Sequence, residues 1–317
     1  MKVLITAPYV HHFLGEWQKE FPQVEFVSGQ TPEEMRQAAA DAEVAFGPVN
    51  ADLLATAPKL RWIQSGSAGV EWMQNVPALR ESDIIVTNTR GAHATTIAEH
   101  TFGMLIYLTR NFAQLCDAQK QKVWLRPPEI RPCTGLVGMT MGIIGLGQIG
   151  RAIAKRAQAF EMEVIAVDAH PVPKPEYVAE VRLLDGLDDL MRRSDVGVVA
   201  TPITPETRGM IGPAQLGLMK PGSYLLVMSR GGIVDEPTVT AMLHDGRLAG
   251  AGFDVTAVEP LPAESELWSA PNVIITPHCS PSSGQTRANV VAIMKENLRR
   301  YLAGEPLNNV VDKKLGY

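Results

Sequence analysis

Short runs of β-branched and other apolar residues alternate with helical stretches along the first third of the chain. The helical stretches include residues 32–42 and 51–57. The runs that predict strands are 3–6, 24–27, 44–46, 62–64 and 84–86. Such an alternation is typical of a parallel sheet that is covered by helices on both faces. The pattern therefore predicts a doubly wound α/β domain at the start of the chain.

A second alternating series follows and predicts a second doubly wound domain. Its helices include 149–160 and 236–246. Its strands are predicted at 141–145, 164–168, 196–200, 224–228, 251–255 and 273–276. Between the two series, residues 94–115 have the pattern of one long helix. A last helix, 285–304, ends in a glycine, which is the usual residue after a helix end; we expect it to return to the first domain, so that the second domain is an insertion.

Composition and charge narrow the function classes. The chain has 317 residues, a hydrophobic fraction of 45% and a formal net charge of −5. These values fit an ordinary protein of about two domains and give no electrostatic reason to expect nucleic acid or a membrane as a partner. No apolar run approaches the ~20 residues of a transmembrane helix, and Pro8 interrupts the start of the chain, which does not resemble a signal peptide. Three scattered thiols make neither a disulfide framework nor a zinc site, so we expect no metal and a cytoplasmic location.

A glycine-rich turn joins the first strand of the second series to its helix. The spacing is Gly145-x-Gly147-x-x-Gly150. In this context the first glycine allows a tight turn, the second lets the backbone approach a pyrophosphate, and the third lets the helix pack close to the sheet. The helix start at Gln148 and Ile149 would face the phosphates with free N–H groups. The turn therefore predicts a dinucleotide site.

Asp168 ends the next strand, 18 residues after Gly150 by their positions in the chain. A carboxylate there can accept hydrogen bonds from both ribose hydroxyls and would repel a 2′-phosphate. The residue therefore favours NAD over NADP. The alternative interpretation is a structural turn with a surface aspartate.

Polar residues follow the other strands of the second series, where open α/β sheets bind their ligands. The strand ends are Gly145, Asp168, Thr201 with Pro202, Ser229 with Arg230, Asp254, and Pro277 with His278. Arg230 either points into the cofactor crevice or forms a salt bridge with Asp235 or Glu236. His278 is either a structural histidine or part of the site. If Glu259 lies beside it rather than in a surface loop, that carboxylate would favour the charged imidazolium and fix one tautomer.

The chain resembles the D-isomer-specific 2-hydroxyacid dehydrogenase family over nearly its whole length. The matching stretches are "GIIGLGQIGRAIAKRAQAF", "TPITPETRGMIG", "LMKPGSYLLVMSRGGIVDE", "GRLAGAGFDVTAVEPLP", "LWSAPNVIITPH" and "NNVVD". With the strand pattern, the resemblance predicts a flavodoxin-like substrate-binding domain (1–96 and 285–317) and an inserted Rossmann NAD-binding domain (97–284). Residues 261–273 are similar to glyoxylate/hydroxypyruvate reductases, and Glu259 argues against formate as the substrate.

The resemblance implies the site residues. Arg230, Glu259 and His278 match the family's catalytic set, in which arginine binds the substrate, histidine is the acid/base and glutamate keeps it charged. The N–H groups of Ala68 and Gly69 would bind the substrate carboxylate, together with Arg230 and His278. The predicted cofactor contacts are Gly145, Gly147, Gln148, Ile149, Gly150, Asp168, Thr201, Pro202, Thr207, Met228, Ser229, Arg230, Asp254 and His278.

The implied activity is the reversible reduction of a small 2-oxo acid to its D-2-hydroxy acid with NAD as the cofactor. The family also implies a homodimer, with the 94–115 helix and the following loop in the contact. Trp124 either reaches the partner's pocket or packs within that interface, and His93 has no assigned role. The rival interpretation is a non-catalytic NAD-binding regulator that resembles the family's transcriptional corepressors.

Overall fold

The structure is a computed structural model that describes residues 1–314. The chain forms two compact units. Unit 1 comprises residues 1–93 and those from 283 onward, and unit 2 comprises 94–282. The borders expected from the sequence, after residues 96 and 284, lie three and two residues further along the chain.

Unit 1 is built on a five-stranded sheet in the order β2-β1-β3-β4-β5, with all of these pairs parallel. Its strands are β1 (Lys2–Ile5), β2 (Glu25–Val27), β3 (Val44–Phe46), β4 (Trp62–Gln64) and β5 (Ile85–Thr87). Its first four helices are α1 (Leu14–Glu20), α2 (Pro32–Ala39), α3 (Ala51–Thr56) and α4 (Pro77–Arg80). This strand order is the flavodoxin-like one, as the sequence predicted.

Local signals explain where the helices of unit 1 begin. Thr31 and Glu34 form a reciprocal capping box at the start of α2, and the Asn50 side chain accepts the Leu53 N–H at the start of α3. Such caps satisfy N–H groups that have no partner within the helix. The central strands β3 and β4 are buried throughout.

Unit 2 is built on a seven-stranded sheet in the order β12-β11-β10-β9-β6-β7-β8, again with parallel pairs. Its strands are β6 (Thr140–Ile144), β7 (Glu163–Asp168), β8 (Glu180–Leu183), β9 (Val196–Val199), β10 (Ser223–Val227), β11 (Leu248–Phe253) and β12 (Val273–Ile275). Its helices are α5 (Ala94–Thr109), α6 (Phe112–Lys120), α7 (Gln148–Ala159), α8 (Leu187–Arg193), α9 (Pro213–Leu216) and α10 (Glu236–His244). The order reverses between β6 and β9, which is the switch point where Rossmann folds bind dinucleotides.

The last helix, α11 (Gly284–Ala303), belongs to unit 1. Its Val290, Met294 and Leu298 are buried in the same core cluster as the side chains of β1 and β3. Gly304 then ends the helix in the left-handed conformation, at φ 69°. Within residues 1–314, no helix combines the length and the apolar composition that a bilayer span needs.

The expectation of a single helix over 94–115 is wrong. The helix breaks between Thr109 and Phe112, where Asn111 is left-handed at φ 55°. Asparagine tolerates this conformation better than most residues. Its amide also donates hydrogen bonds to the Arg131 and Pro132 carbonyls, at 3.0 and 3.1 Å. The break thus depends on contacts with a segment twenty residues further along the chain. The hydrophobic periodicity of residues 94–115 gives no information about such contacts.

Two further differences concern strands. The strand β8 was not predicted, because Glu180 and Arg182 interrupt a short run at the edge of the sheet and leave it half exposed. The strand β11 begins at Leu248 rather than at residue 251, since the alanines and glycines of Leu248–Phe253 gave a weak strand signal. Neither difference changes the strand ends at which the site residues were predicted.

Candidate active site

The glycine turn lies at the switch point of unit 2. A different physical reason favours glycine at each of its three positions. Gly145 has φ 97°, and a side chain there would come within 2.7 Å of the Thr201 backbone nitrogen. At Gly150 a side chain would overlap the carbonyl of Gly145. At Gly147, in contrast, a side chain would point into open space. Packing therefore accounts for the first and third glycines, and the second leaves room at the start of α7.

Asp168 lies directly beside this turn. Its Oδ2 accepts the Leu146 N–H at 2.8 Å, and its Oδ1 accepts the His170 N–H at 3.1 Å. The carboxylate thus stabilises the glycine turn, and each oxygen retains a further lone pair that a ribose hydroxyl could use.

The residues fit a bound dinucleotide. The start of α7 has no side-chain cap at Gly147, so its first N–H groups, at Gln148 and Ile149, can bind a phosphate. Across the edge, the Ser229 hydroxyl is buried and has no hydrogen-bond partner in the described part of the chain. A buried polar group without a partner is costly, and a bound ligand could satisfy it.

Other predicted cofactor residues lie in the loop after β9 and at the end of β10. Thr207 is buried and its hydroxyl donates to the Pro202 carbonyl at 2.8 Å, which closes the loop after β9. The loop begins at Thr201, whose backbone packs against Gly145. The Met228 side chain lies in the hydrophobic core, so a cofactor contact at that position would involve its backbone. These contacts remain predictions.

Arg230 lies in the turn after β10. Its Nη1 donates to the Ser229 carbonyl at 2.7 Å. The two acidic residues weighed as its ion-pair partners have other contacts: Asp235 accepts the Thr238 N–H at 2.9 Å and Glu236 accepts the Ala257 N–H at 2.5 Å.

Glu259 and His278 form a hydrogen-bonded pair. Glu259 Oε2 lies 2.8 Å from His278 Nδ1. The Glu259 side chain is 39% exposed and the His278 side chain 40%. With Nδ1 donating its proton to the carboxylate, Nε2 is left for a substrate. The Thr256 N–H also donates to Glu259 Oε1 at 3.2 Å, which fixes the second carboxylate oxygen.

The buried carboxylate of Asp254 anchors the turn that carries His278. It accepts the Thr276 hydroxyl at 2.6 Å, the Cys279 N–H at 3.0 Å and the Ser280 N–H at 3.1 Å. The His278 N–H donates to the Asp254 carbonyl at 2.8 Å, and His278 itself is left-handed at φ 50°. The sequence predicted Asp254 as a cofactor contact; that contact stays a prediction, and the hydrogen bonds of Asp254 stabilise the turn.

Arg230 and His278 lie at the same edge of the sheet. Val227 pairs with Phe253, and Phe253 pairs with Ile275. Each of the two candidate residues lies three positions beyond its paired strand residue. Neighbouring strands are ~4.8 Å apart, so the ends of β10 and β12 are separated by about 10 Å. The sheet therefore brings the guanidinium and the imidazole to one side of the unit.

His100, Asp254 and Cys279 offer a nitrogen, an oxygen and a sulfur within 4.8 Å of one another, which is a possible metal-ligand set. Hydrogen bonds already use these groups. The Thr276 hydroxyl has one proton, which it donates to Asp254, so His100 Nε2 at 3.0 Å must donate its own proton to Thr276. These hydrogen bonds attach the cluster to residues 276–280, and we assign it to the support of the turn.

Ala68 and Gly69 lie in unit 1, in the loop after β4. The Ala68 carbonyl accepts the Asn88 amide at 2.9 Å, and the Gly69 carbonyl accepts the Ser67 hydroxyl at 2.6 Å. The loop is thus fixed through its carbonyl groups. The expected carboxylate contacts of its N–H groups remain a prediction, and His93 keeps no assigned role.

Sequence reasoning missed the residues that support the site. Thr276, His100 and Glu236 make no substrate-like contact and have no motif of their own. For two of them the available signal was position: Thr276 lies two residues before His278, and Glu236 closes the stretch "SRGGIVDE". His100, within α5, had no such signal. Polar residues that immediately flank a strand-end motif were therefore the signal to use.

Comparison with known proteins gives the family. A family model described as "D-isomer specific 2-hydroxyacid dehydrogenase, NAD binding domain" matches residues 102–280. The chain belongs to this family. The matched residues lie within unit 2 and include the glycine turn, Arg230, Glu259 and His278.

Named relatives agree with the family. The chain is 34% identical to a glycerate dehydrogenase of Methylorubrum extorquens, over 90% of this chain and 91% of the relative. It is 35% identical to a D-3-phosphoglycerate dehydrogenase of Methanocaldococcus jannaschii over 98% of this chain, but it spans only 59% of that relative's length. A solved family member from Xanthobacter autotrophicus Py2, in complex with NADPH and MES, superposes with a TM-score of 0.83 at 26% identity and covers 99% of this chain and 100% of that one.

The different roles of Gly147 and Gly150 can be separated by one substitution each. Gly150→Ala should destabilise the protein by about 1–3 kcal/mol, because the new methyl group overlaps the Gly145 carbonyl. Gly147→Ala should leave stability within about 0.5 kcal/mol and weaken NADH binding roughly tenfold or more, because the methyl group occupies the space that a pyrophosphate needs. Thermal denaturation and NADH fluorescence titration measure the two effects. Unaltered NADH binding by Gly147→Ala would contradict the assignment of the pyrophosphate to this turn.

Proposed function

We propose that the protein interconverts a small 2-oxo acid and its D-2-hydroxy acid, with NAD as the cofactor. The observation that carries the proposal is the Glu259–His278 pair, 2.8 Å apart, on the sheet edge that also bears Arg230 and the glycine turn. An acid/base group, a fixed cation and a dinucleotide turn on one edge are the parts that this reaction requires.

Arg230 binds the substrate in this proposal. A guanidinium can donate one hydrogen bond to the 2-oxo oxygen and another to a carboxylate oxygen, because its N–H groups form a planar fork. Reduction places negative charge on the 2-oxo oxygen, and the cation stabilises that charge as it develops. A lysine would offer a single point charge at the same position.

His278 supplies the proton. Its Nε2 donates to the oxygen that becomes the hydroxyl, and the same nitrogen accepts the proton in the oxidation direction. Glu259 binds Nδ1–H, which keeps the ring in the required tautomer and stabilises the imidazolium electrostatically. When bound, the dinucleotide supplies or accepts the hydride at the substrate's C2.

A two- or three-carbon acid is the favoured substrate class. Residues 261–273 are similar to glyoxylate/hydroxypyruvate reductases, and a relative that the chain matches over most of its length is named a glycerate dehydrogenase. A non-catalytic regulator is the second candidate, because such proteins can retain the same three residues. It would bind NADH without turning over any 2-oxo acid.

Substrate turnover by the wild type and His278→Gln tests the proposal. The wild type should oxidise NADH when glyoxylate or hydroxypyruvate is added. His278→Gln should lower kcat by about 10²–10⁴-fold, the usual contribution of a positioned acid/base, with the affinity for NADH nearly unchanged. Absorbance of the nicotinamide measures turnover, and fluorescence titration measures binding.

The matched control is His244→Gln, which replaces an exposed histidine at the end of α10. It should behave as the wild type. Equal turnover in His278→Gln and His244→Gln would remove His278 from the mechanism. NADH binding without turnover of any 2-oxo acid in a broad panel would favour the regulator.

NAD rather than NADP is proposed as the cofactor on the basis of Asp168. Its carboxylate lies at the glycine turn, where it would repel a 2′-phosphate. Family members differ in this respect, since the structure from Xanthobacter autotrophicus contains NADPH. The cofactor therefore has to be measured for this chain.

Asp168→Asn should reduce the preference for NADH over NADPH by roughly tenfold or more, because one like charge near the 2′-phosphate is removed. The amide retains an oxygen that can accept the Leu146 N–H. Asp168→Ala removes that acceptor too, so it should additionally weaken the binding of both cofactors. Steady-state kcat/KM values with each cofactor give the ratio. A ratio that Asp168→Asn leaves unchanged would contradict the role of this carboxylate.

A homodimer is also proposed, and exposed apolar residues of unit 2 support it. Trp124 is 87% exposed, next to Val123 in the loop after α6. Phe112 and Val137, before and after that loop, are exposed as well. Large exposed apolar side chains in one region are typical of a protein–protein contact.

Trp124→Lys should raise the dimer dissociation constant by about tenfold or more, since a buried interface tryptophan commonly contributes ~2 kcal/mol or more. Leu183→Lys, at an exposed apolar residue of the edge strand β8, is the control. Analytical ultracentrifugation over a concentration series measures both. An unchanged dimer in Trp124→Lys, or a monomeric wild type, would contradict the proposed contact.

A further inference from the structure

The loops that carry Arg230 and Glu259 touch at one point. Gly231 follows Arg230 directly, and a side chain at Gly231 would overlap the peptide group between Thr256 and Ala257. The two backbones are therefore in direct contact. Any shift of the Thr256–Ala257 peptide would move Glu259 relative to Arg230, because both loops depend on the same contact.

Glu236 also binds the Thr256–Ala257 peptide. Its Oε1 accepts the Ala257 N–H at 2.5 Å. Glu236 is the first residue of α10, and Asp235 caps that helix by accepting the Thr238 N–H. The carboxyl group is thus attached to the rigid start of a helix, and it reaches across to a loop that is otherwise exposed at Ala257 and Val258.

Burial and the charges of its neighbours act on Glu236. Burial raises the pKa of this carboxyl, the backbone hydrogen bond from Ala257 lowers it, and the nearby carboxylates Asp235 and Glu259 raise it further. A group that is costly to ionise at this position can still accept the hydrogen bond in its neutral form. Both protonation states of the carboxyl can therefore keep the hydrogen bond from Ala257.

The hydrogen bond from Glu236 continues to the candidate acid/base. Beyond Ala257 the loop folds back on itself: the Thr256 hydroxyl donates to the Val258 carbonyl at 2.8 Å and the Thr256 N–H donates to Glu259 Oε1 at 3.2 Å. Glu259 in turn binds His278 Nδ1. The path from the Ala257 N–H to the imidazole thus runs through Thr256 and Glu259, and each step is a short-range contact.

We propose that Glu236 is a positioning residue: by accepting the Ala257 N–H, it fixes the 256–259 loop against Gly231 and so sets the Glu259–His278 pair relative to Arg230. Its effect on catalysis rests on the proposed function. Its effect on the Glu259–His278 pair does not, since that pair exists in the protein without substrate.

Two substitutions separate the hydrogen bond from the charge. Glu236→Gln keeps the length and the acceptor oxygen but removes the charge. Glu236→Asp keeps the charge at the start of α10 but withdraws the acceptor by one methylene. If Glu236 acts through its hydrogen bond, Glu236→Gln should behave as the wild type and Glu236→Asp should not. If it acts through its charge at the helix end, Glu236→Asp should behave as the wild type and Glu236→Gln should not.

The kinetic experiment measures kcat and KM for a 2-oxo acid with NADH. Glu236→Asp should lower kcat by on the order of tenfold to a hundredfold, because a displacement near 1 Å at reacting groups has effects of that size. KM for NADH should stay within about twofold, since the cofactor turn is not touched. Glu236→Ala is a second variant and should resemble Glu236→Asp. Glu264→Ala, at an exposed acidic residue five positions after Glu259, is the control that should match the wild type.

A spectroscopic measurement at one fixed pH makes the test independent of turnover. The imidazole Cε1–H signal of His278, assigned by its loss in His278→Gln, should keep its chemical shift in Glu236→Gln and change it in Glu236→Asp. A wild type without turnover would overturn the proposed function, while the NMR comparison would still decide the role of Glu236. Equal kcat and shift in Glu236→Asp and the wild type, or equal losses in Gln and Asp, would overturn the positioning role.

Discussion

The hydrogen bonds to the buried carboxylate of Asp254 are the interaction on which the arrangement of the site depends. The residue is 1% exposed, and a buried charge without partners would cost several kcal/mol. Three groups from residues 276–280 donate to it instead, and hydrogen bonds to an ionised acceptor are among the stronger ones. The turn is thereby defined closely enough to keep His278 left-handed, a conformation that costs about 1–2 kcal/mol for a residue with a side chain.

The same principle recurs along the carboxyl edge of the sheet in unit 2. Where parallel strands end, the backbone N–H groups of the following loops lose their strand partners and need other acceptors. Asp168 accepts N–H groups beside the glycine turn, Asp254 accepts those of the histidine turn, and Glu236 and Glu259 accept those of the loop between. Acidic side chains thus fix the conformations of these loops by accepting backbone N–H groups. The loop conformations in turn determine where the candidate site residues lie.

Sequence reasoning reached those features that repeat a regular pattern. The parallel strands and the placement of Arg230 and His278 at one edge of the sheet follow from apolar periodicity and from the rule that ligand groups collect at strand ends, whereas the two strand orders are what the family resemblance implies. The break at Asn111 and the strand β8 did not follow, because a side-chain contact with Arg131 decided the first and charged residues at a sheet edge obscured the second. Glu236 was weighed only as a partner of Arg230. Its contact with Ala257 joins residues 21 positions apart, and no local pattern contains such a contact.

The number of carboxylates at this edge sets an electrostatic requirement for any anionic ligand. A 2-oxo acid and a dinucleotide pyrophosphate are both negative, and they would approach Asp168, Asp254, Glu236 and Glu259. Backbone N–H donors offset the charges of these groups in part. The remaining repulsion has to be countered by fixed positive groups. The start of α7 would provide partial positive charge for the phosphates, and in the proposed reaction Arg230 and His278 would provide it for the acid. Arg230, directly after the buried strand β10, would therefore offset the negative charge of the acidic loops when an anionic ligand binds.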